Sequence, residues 1–134
     1  MSFSAIIEID GIDTMKVLQC SFSFQQASDY RGKPSESPRG GKIHLVVEST
    51  GETNLLSWML GHNIVKDGKI IFTKRDESSS MKTIEFKEAY CLQYQEFFDH
   101  ETNEPMRINV VISPKVFTVK DAKFEQEWHT KANF

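Results

Sequence analysis

A chain of 134 residues has room for one domain with a sizeable core and none for a second. Its 39% hydrophobic and 26% charged residues are ordinary for a soluble globular protein, and a formal net charge of -3 argues against non-specific binding to nucleic acid or anionic lipid. No apolar run approaches the ~20 residues of a membrane span, and residues 1–8 lack both a basic start and a long apolar core, so neither membrane insertion nor a cleaved signal peptide is expected.

Residues 3–9 alternate weakly and end at Asp10-Gly11, which predicts a tight hairpin because such a turn needs positive φ. Residues 15–26 make the cleanest predicted strand. Leu18, Cys20, Phe22 and Phe24 fall on one face, and Gln19, Ser21, Ser23 and Gln25 on the other. That second face is polar without a charge, which suits a hydrated sheet surface and a non-sticking channel wall equally well. Residues 27–40 then form a loop far longer than the roughly 2 to 5 residues that usually join paired strands. Its Arg31, Lys33 and Arg39 outnumber Asp29 and Glu36 in a chain that is acidic as a whole. It reads either as a flexible excursion rich in Ser, Pro and Gly or as a basic docking arm.

From Gly41 the pattern becomes strand again, with Ile43, Leu45 and Val47 opposite Lys42, His44 and Glu48. Thr53 stands as the N-cap of a short amphipathic helix over 54–60, closed by Gly61. Leu55 with Met59, and Leu56 with Leu60, are i,i+4 pairs beside Trp58. A helix this short must dock on the strands, so Leu55, Leu56, Trp58 and Met59 are read as core packing. Lys66-Asp67-Gly68-Lys69 predicts a second hairpin turn before a strand over 70–75.

The stretch 81–98 exceeds one strand of usual length; its alternation Ile84, Phe86 slips at Glu88-Ala89 and resumes at Tyr90, Leu92 and Tyr94, which predicts a bulge. An acidic turn over 99–105 carries Asp99, Glu101 and Glu104. Met106, Ile108, Val110 and Ile112 alternate in a further strand, Pro114 interrupts, 116–119 is a short last strand, and 121–134 reads as a polar tail. The whole is expected to be one mainly β domain over 1–134. It would be a small antiparallel β-barrel, or a sandwich, with one flanking short α-helix and one long extended loop.

Reactive chemistry is hard to find. His44, His62, His100 and His129 stand at no metal-ligand spacing, and Arg39-Gly40-Gly41-Lys42 lacks the spacing of a phosphate loop and leads into a strand. No carboxylate pair is singled out for acid–base work. Neither catalytic residues nor a metal nor a cofactor is expected, and the chain reads as a non-enzyme. Cys20 and Cys91, both in strand-like runs, are expected to be reduced, buried thiols.

The run Ser37-Pro38-Arg39-Gly40-Gly41-Lys42-Ile43-His44-Leu45-Val46-Val47-Glu48-Ser49-Thr50-Gly51, followed by Leu56-Ser57-Trp58-Met59, resembles the Hcp-type tube protein of type VI secretion systems in its Bacteroidetes TssD form. Met1-Ser2-Phe3, Lys74-Arg75-Asp76, Ala89-Tyr90-Cys91 and Glu127-Trp128 fit in the same order, so the resemblance spans nearly the whole chain. It implies a subunit of a hexameric ring. Such rings stack into a hollow tube that a contractile sheath drives out of the cell behind a spike, carrying effectors.

The implied partners are further copies of the chain, sheath, spike, baseplate and effectors, with assembly in the cytoplasm and secretion without a cleaved leader. On that resemblance Asp29, Tyr30, Arg31, Lys33, Arg39, Gly40 and Gly41 form a ring-stacking loop. Gln19, Ser21, Ser23 and Gln25 are the candidate lumen face, and by charge Asp99, Glu101 and Glu104 are a candidate acidic rim that the basic loop could reach, with contacts through Tyr30 or backbone pairing as the alternative joint. The alternative is a monomeric β-barrel whose ten Phe line a site for a small apolar ligand.

Overall fold

Eight strands and one helix account for most of the residues described by the computed structural model, which are 3–74, 80–101, 106–126 and 128. They are β1 (Phe3–Ile9), β2 (Ile12–Gln25), β3 (Arg39–Glu48), α1 (Asn54–Leu60), β4 (Lys66–Lys74), β5 (Ser80–Phe97), β6 (Arg107–Ser113), β7 (Val116–Val119) and β8 (Ala122–Glu125). All pairings between them are antiparallel. The order β4-β1-β2-β3-β6-β5 returns to β4, closing a barrel, while β7 and β8 branch from β5. Closure buries a core of alternating side chains: Ile7 on β1, Ile43 and Val47 on β3, Ile70 on β4, Ile84 and Phe86 on β5 and Ile112 on β6 are all almost wholly enclosed.

The strands depart from simple alternation where the barrel bends. On β2, Met15 and Val17 face inward, the register shifts before Gln19, and the inward side then passes to Cys20 and Phe22. Leu18 sits at that shift, so the expected single face from Leu18 to Phe24 begins two residues later, at Cys20. On β5 the expected slip is present: Glu88 has a left-handed φ of 49°, and Lys115 and Asp67 serve the backbone around it. Alternation resumes at Ala89 and Cys91, so Tyr90 and Leu92 turn away from the core.

Three expectations are corrected. Lys66 to Lys69 is no hairpin turn but the first part of β4, with Gly68 opposite Ile9. A Cβ there would lie 2.6 Å from both the Glu8 carbonyl oxygen and the Phe86 ring, so the glycine serves close approach rather than reversal. At the helix, Thr53 makes no side-chain cap, Gly61 is extended (φ -75°), and Leu60 is 74% exposed. The buried stripe is Leu55 and Trp58, with Met59 and Leu56 partly covered.

Finally, the segment read as a polar tail contains β8, which pairs with β7 across a turn at Lys120, where φ is 55°. Only Phe124 of β8 packs on the core, too little to register as a strand pattern. Residues 127 and 129–134 lie outside the described residues, as do Arg75, Asp76 and Glu104.

Candidate assembly interface

The second half of β2, β3, β6 and the second half of β5 form one four-stranded sheet. Its inner face is core: Ile43, Leu45 and Val47 pair with Ile112, Val110 and Ile108. Its outer face follows from the same register. Ser21 pairs with His44, His44 with Val111, and Val111 with Gln93. The next row runs Gln19, Val46, Asn109, Gln95. Both rows are free of formal charge at neutral pH, with Lys42 toward one end of the face and Glu48 paired with Arg107 at the other. Gln19 and Ser21 therefore belong to a polar surface that spans four strands, and Ser23 and Gln25 continue it along β2. His44, Gln93, Gln95 and Asn109 escaped the sequence reading because only strand register reveals that they share this face.

Two edges of this sheet are open. β1 pairs with β2 only as far as Val17, and β4 pairs with β5 only as far as Ala89. Beyond those points, no described strand of the chain pairs with the outer edge of residues 18–25 or of residues 92–97. Open edges carry rows of unpaired N–H and C=O groups and invite another strand.

One end of the sheet carries the long loop. Asp29 organises its tip: Oδ1 accepts the backbone N–H of Arg31 at 2.9 Å and of Lys33 at 3.1 Å, and Oδ2 meets the Arg31 guanidinium at 3.1 Å. Those backbone donors first, and the guanidinium after them, hold the Asp29 carboxyl below its ordinary 3.8. Backbone bonds from Asp29 to Lys33, Gly32 to Asp29 and Ser35 to Ala27 complete a folded tip. Tyr30 projects from it, 95% exposed, with the Arg31 guanidinium 5.6 Å from its ring centre.

Arg39 is ion-paired with Glu36. Gly40 and Gly41 lie in the start of β3 rather than in the arm. A Cβ on Gly40 (φ 132°) would sit 2.2 Å from the Ser23 carbonyl oxygen. The loop base is clamped by β8 and the residue after it: Gln126 donates to the Gly40 carbonyl at 2.8 Å, and Phe124 of β8 stacks edge-on against Phe24 at 5.0 Å. Phe22 and Phe24 also pack on Phe117, so these rings staple strands together instead of lining a ligand cavity.

The other end of the sheet lies the length of β3 away, about 30 Å for its ten residues. There Glu48 pairs with Arg107, Arg107 with Phe97, and the chain continues to Asp99, which accepts the Glu101 backbone N–H. The basic loop and the described acidic residues Asp99 and Glu101 are thus at opposite ends of the sheet and do not meet within one chain. Beside that turn, between α1 and the sheet, lies a hollow of about 430 Å3 lined by residues including Glu52, Leu56, Tyr94, Glu96 and Met106. The Tyr94 hydroxyl donates to Glu96 at 3.1 Å, and desolvation, followed by that bond and the Glu96 charge, raises the Tyr94 pKa.

Among the described residues, no group of His, Cys, Asp and Glu could hold a metal ion. Cys20 and Cys91 are free thiols, both pushed up to about 11 by burial, hence unreactive at neutral pH. No described helix is long and apolar enough to cross a membrane.

The chain is thus a closed antiparallel barrel with one uncharged sheet face, a docked helix and a projecting loop. A family model described as "Hemolysin coregulated protein Hcp (TssD)" matches residues 1–129, and the chain belongs to that family. Hcp1 from Flavobacterium johnsoniae is 36% identical with a TM-score of 0.85, over 92% of this chain and 99% of that one. Hcp1 from Salmonella typhimurium shares the fold at 14% identity and TM-score 0.75, over 93% of this chain and 95% of that one.

A chain of an extracellular contractile injection system, from a PVC sheath-tube complex, shares it more distantly, at 18% identity and TM-score 0.54 over 88% of each chain. A search of curated proteins found no match. The family is one of structural tube proteins, not enzymes, and this chain is a type VI secretion tube subunit.

Proposed function

We propose that six copies close into a ring, that rings stack head to tail into a hollow tube, and that the four-stranded polar face lines the lumen. A contractile sheath would drive the tube and its spike from a baseplate, with effectors carried inside. Assembly in the cytoplasm and export without a cleaved leader belong to the same reading. The observation that carries it is the pair of open edges on opposite sides of one sheet. An edge at residues 18–25 on one copy and an edge at residues 92–97 on the next make a heterologous contact, and repetition by rotation closes such contacts into a ring. The rows of Ser, Gln, Asn and Val, with His44 among them, then face the axis, where a wall without Asp, Glu, Lys or Arg lets varied cargo pass.

Sheath and baseplate as partners are supported by the fold shared with the sheath-tube complex and with an anti-feeding prophage baseplate. Light scattering and negative-stain imaging of the purified protein test the assembly. A mass of six chains and annular particles are expected. A single-chain mass at high micromolar concentration and moderate salt overturns it.

A further inference from the structure

We propose that Tyr30 of one copy seats in the hollow between α1 and the sheet end of a copy in the next ring, with Arg31 beside Glu52 and Glu96. The proposal rests on the stacked-ring reading and adds to it the residue that anchors the joint and the site that receives it. Three observations converge.

The first is the anchor. Tyr30 is almost fully exposed, yet the turn that carries it is fixed by two N–H bonds to one Asp29 oxygen, a guanidinium contact to the other and three backbone bonds. A large aromatic on a tip already ordered loses little freedom on docking, and Tyr and Arg side by side are the residue types that dominate interface energies.

The second is the seat. At about 430 Å3 the hollow has room for a phenol ring, and Leu56, Tyr94 and Met106 give it partly exposed apolar walls. Its charged residues, Glu52 and Glu96, are both acidic, opposite in sign to the tip.

The third is placement. Tip and seat are at opposite ends of one sheet, as head-to-tail stacking requires.

Two other hollows fit worse. The one beside the loop base is at the same end as the tip, and its Arg39, Lys42 and Lys123 outnumber Glu36 and Glu125, so its balance of charge has the same sign as the tip's. The one around Asp10 and Asp67 is acidic, but its apolar members Ile9 and Phe86 are buried and offer no wall.

The test places a photoreactive benzophenone amino acid at position 30 in place of Tyr30, in assembled tubes of the full chain. After irradiation, mass spectrometry should find adducts within residues 49–56 or 94–96 or at Met106 of another copy. A six-chain ring mass with adducts elsewhere overturns the seat and leaves the ring reading standing. A single-chain mass with only intramolecular adducts overturns both. In parallel, Tyr30→Ala should keep six-chain rings and lose stacked tubes, whereas tubes as long as the parent's overturn the anchor. Arg31→Glu should also lose tubes, and combining it with Glu52→Arg and Glu96→Arg should restore them. Failure of that restoration overturns the pairing.

Discussion

The indole N–H of Trp58 donates to the Ile64 carbonyl at 3.0 Å, tying α1 to the segment that leads into β4. A seven-residue helix has no independent stability, so this bond and the burial of Trp58 and Leu55 hold it in place. Trp58→Ala should cost about 3 to 5 kcal/mol by leaving a cavity. Trp58→Phe should cost less, about 1 to 3 kcal/mol, chiefly through the orphaned Ile64 carbonyl. Urea unfolding of both variants checks the order, and an unchanged midpoint for Trp58→Ala would refute the packing argument.

Gly68 is the second critical contact. Any Cβ there meets the Glu8 backbone and the buried Phe86 ring at 2.6 Å, and neither can move without opening the β1–β4 seam. Gly68→Ala is expected to destabilise by about 1 to 3 kcal/mol, as overpacking does. Gly32, which has nothing within 4 Å of the same atom, supplies the contrast. Its left-handed φ of 82° makes Gly32→Ala locally strained, but the barrel's melting temperature should fall much less.

The two thiols give a pH prediction. Burial raises Cys20 and Cys91 from an ordinary 9.0 to about 11, so the folded state favours the neutral thiol. Their contribution to stability is present below pH 9.0 and is lost as pH climbs toward about 11, because the unfolded chain releases those protons first. Cys20→Ala with Cys91→Ala should flatten that alkaline decline while leaving the oligomer intact. A ring that dissolves on adding reductant at neutral pH contradicts this, since both thiols are free.

Much of the barrel was legible because β-branched and aromatic alternation survives wherever strands are straight, as in Ile43, Leu45 and Val47. The bends were less legible. Val17 and Gln19 lie on opposite faces because Leu18 is an extra residue in β2 where the pairing with β3 shifts, and Asp67-Gly68 looks locally like a reversal although β1 and β5 hold it extended. β8 was hidden because one phenylalanine supplies its packing. Of the candidate site, the exposed loop charges and the uncharged β2 face could be read directly. The other three strands of that face, and the Glu52, Glu96 and Met106 hollow, depend on pairings between residues far apart in the chain.

Asp29 offers a local test of the loop. Its carboxyl is held below 3.8, so the order it gives the tip is present above that value and is lost as pH falls through the lower folded one. Hydrogen exchange at the Arg31 and Lys33 amides should quicken over that acid range, and Asp29→Ala should show the fast rate at neutral pH. The barrel's melting temperature should barely move, since the tip is at the surface and far from the core. Unchanged exchange in Asp29→Ala means that the backbone bonds alone order the tip.

Salt should separate the two kinds of contact. In the proposed assembly, ring closure through strand edges would depend on backbone hydrogen bonds and apolar contact, which ionic strength scarcely alters. Stacking through the tip and the acidic far end, as proposed, would depend on Arg31 and Lys33, exposed charges whose pairs are worth only up to about 1 kcal/mol each. The screening length is about 10 Å at 0.1 M and about 3 Å at 1 M, so these attractions fade over that range. Repetition around a ring multiplies a weak contact, and it multiplies the loss in the same way. Raising salt from about 0.1 M to about 1 M is therefore expected to shorten tubes while six-chain rings persist. Arg31→Glu with Lys33→Glu should mimic high salt at low salt, leaving rings folded and tube growth impaired. Electron microscopy of both series decides it: tubes as long and as frequent as the parent's in the charge-reversed protein remove the loop charges from the stacking mechanism.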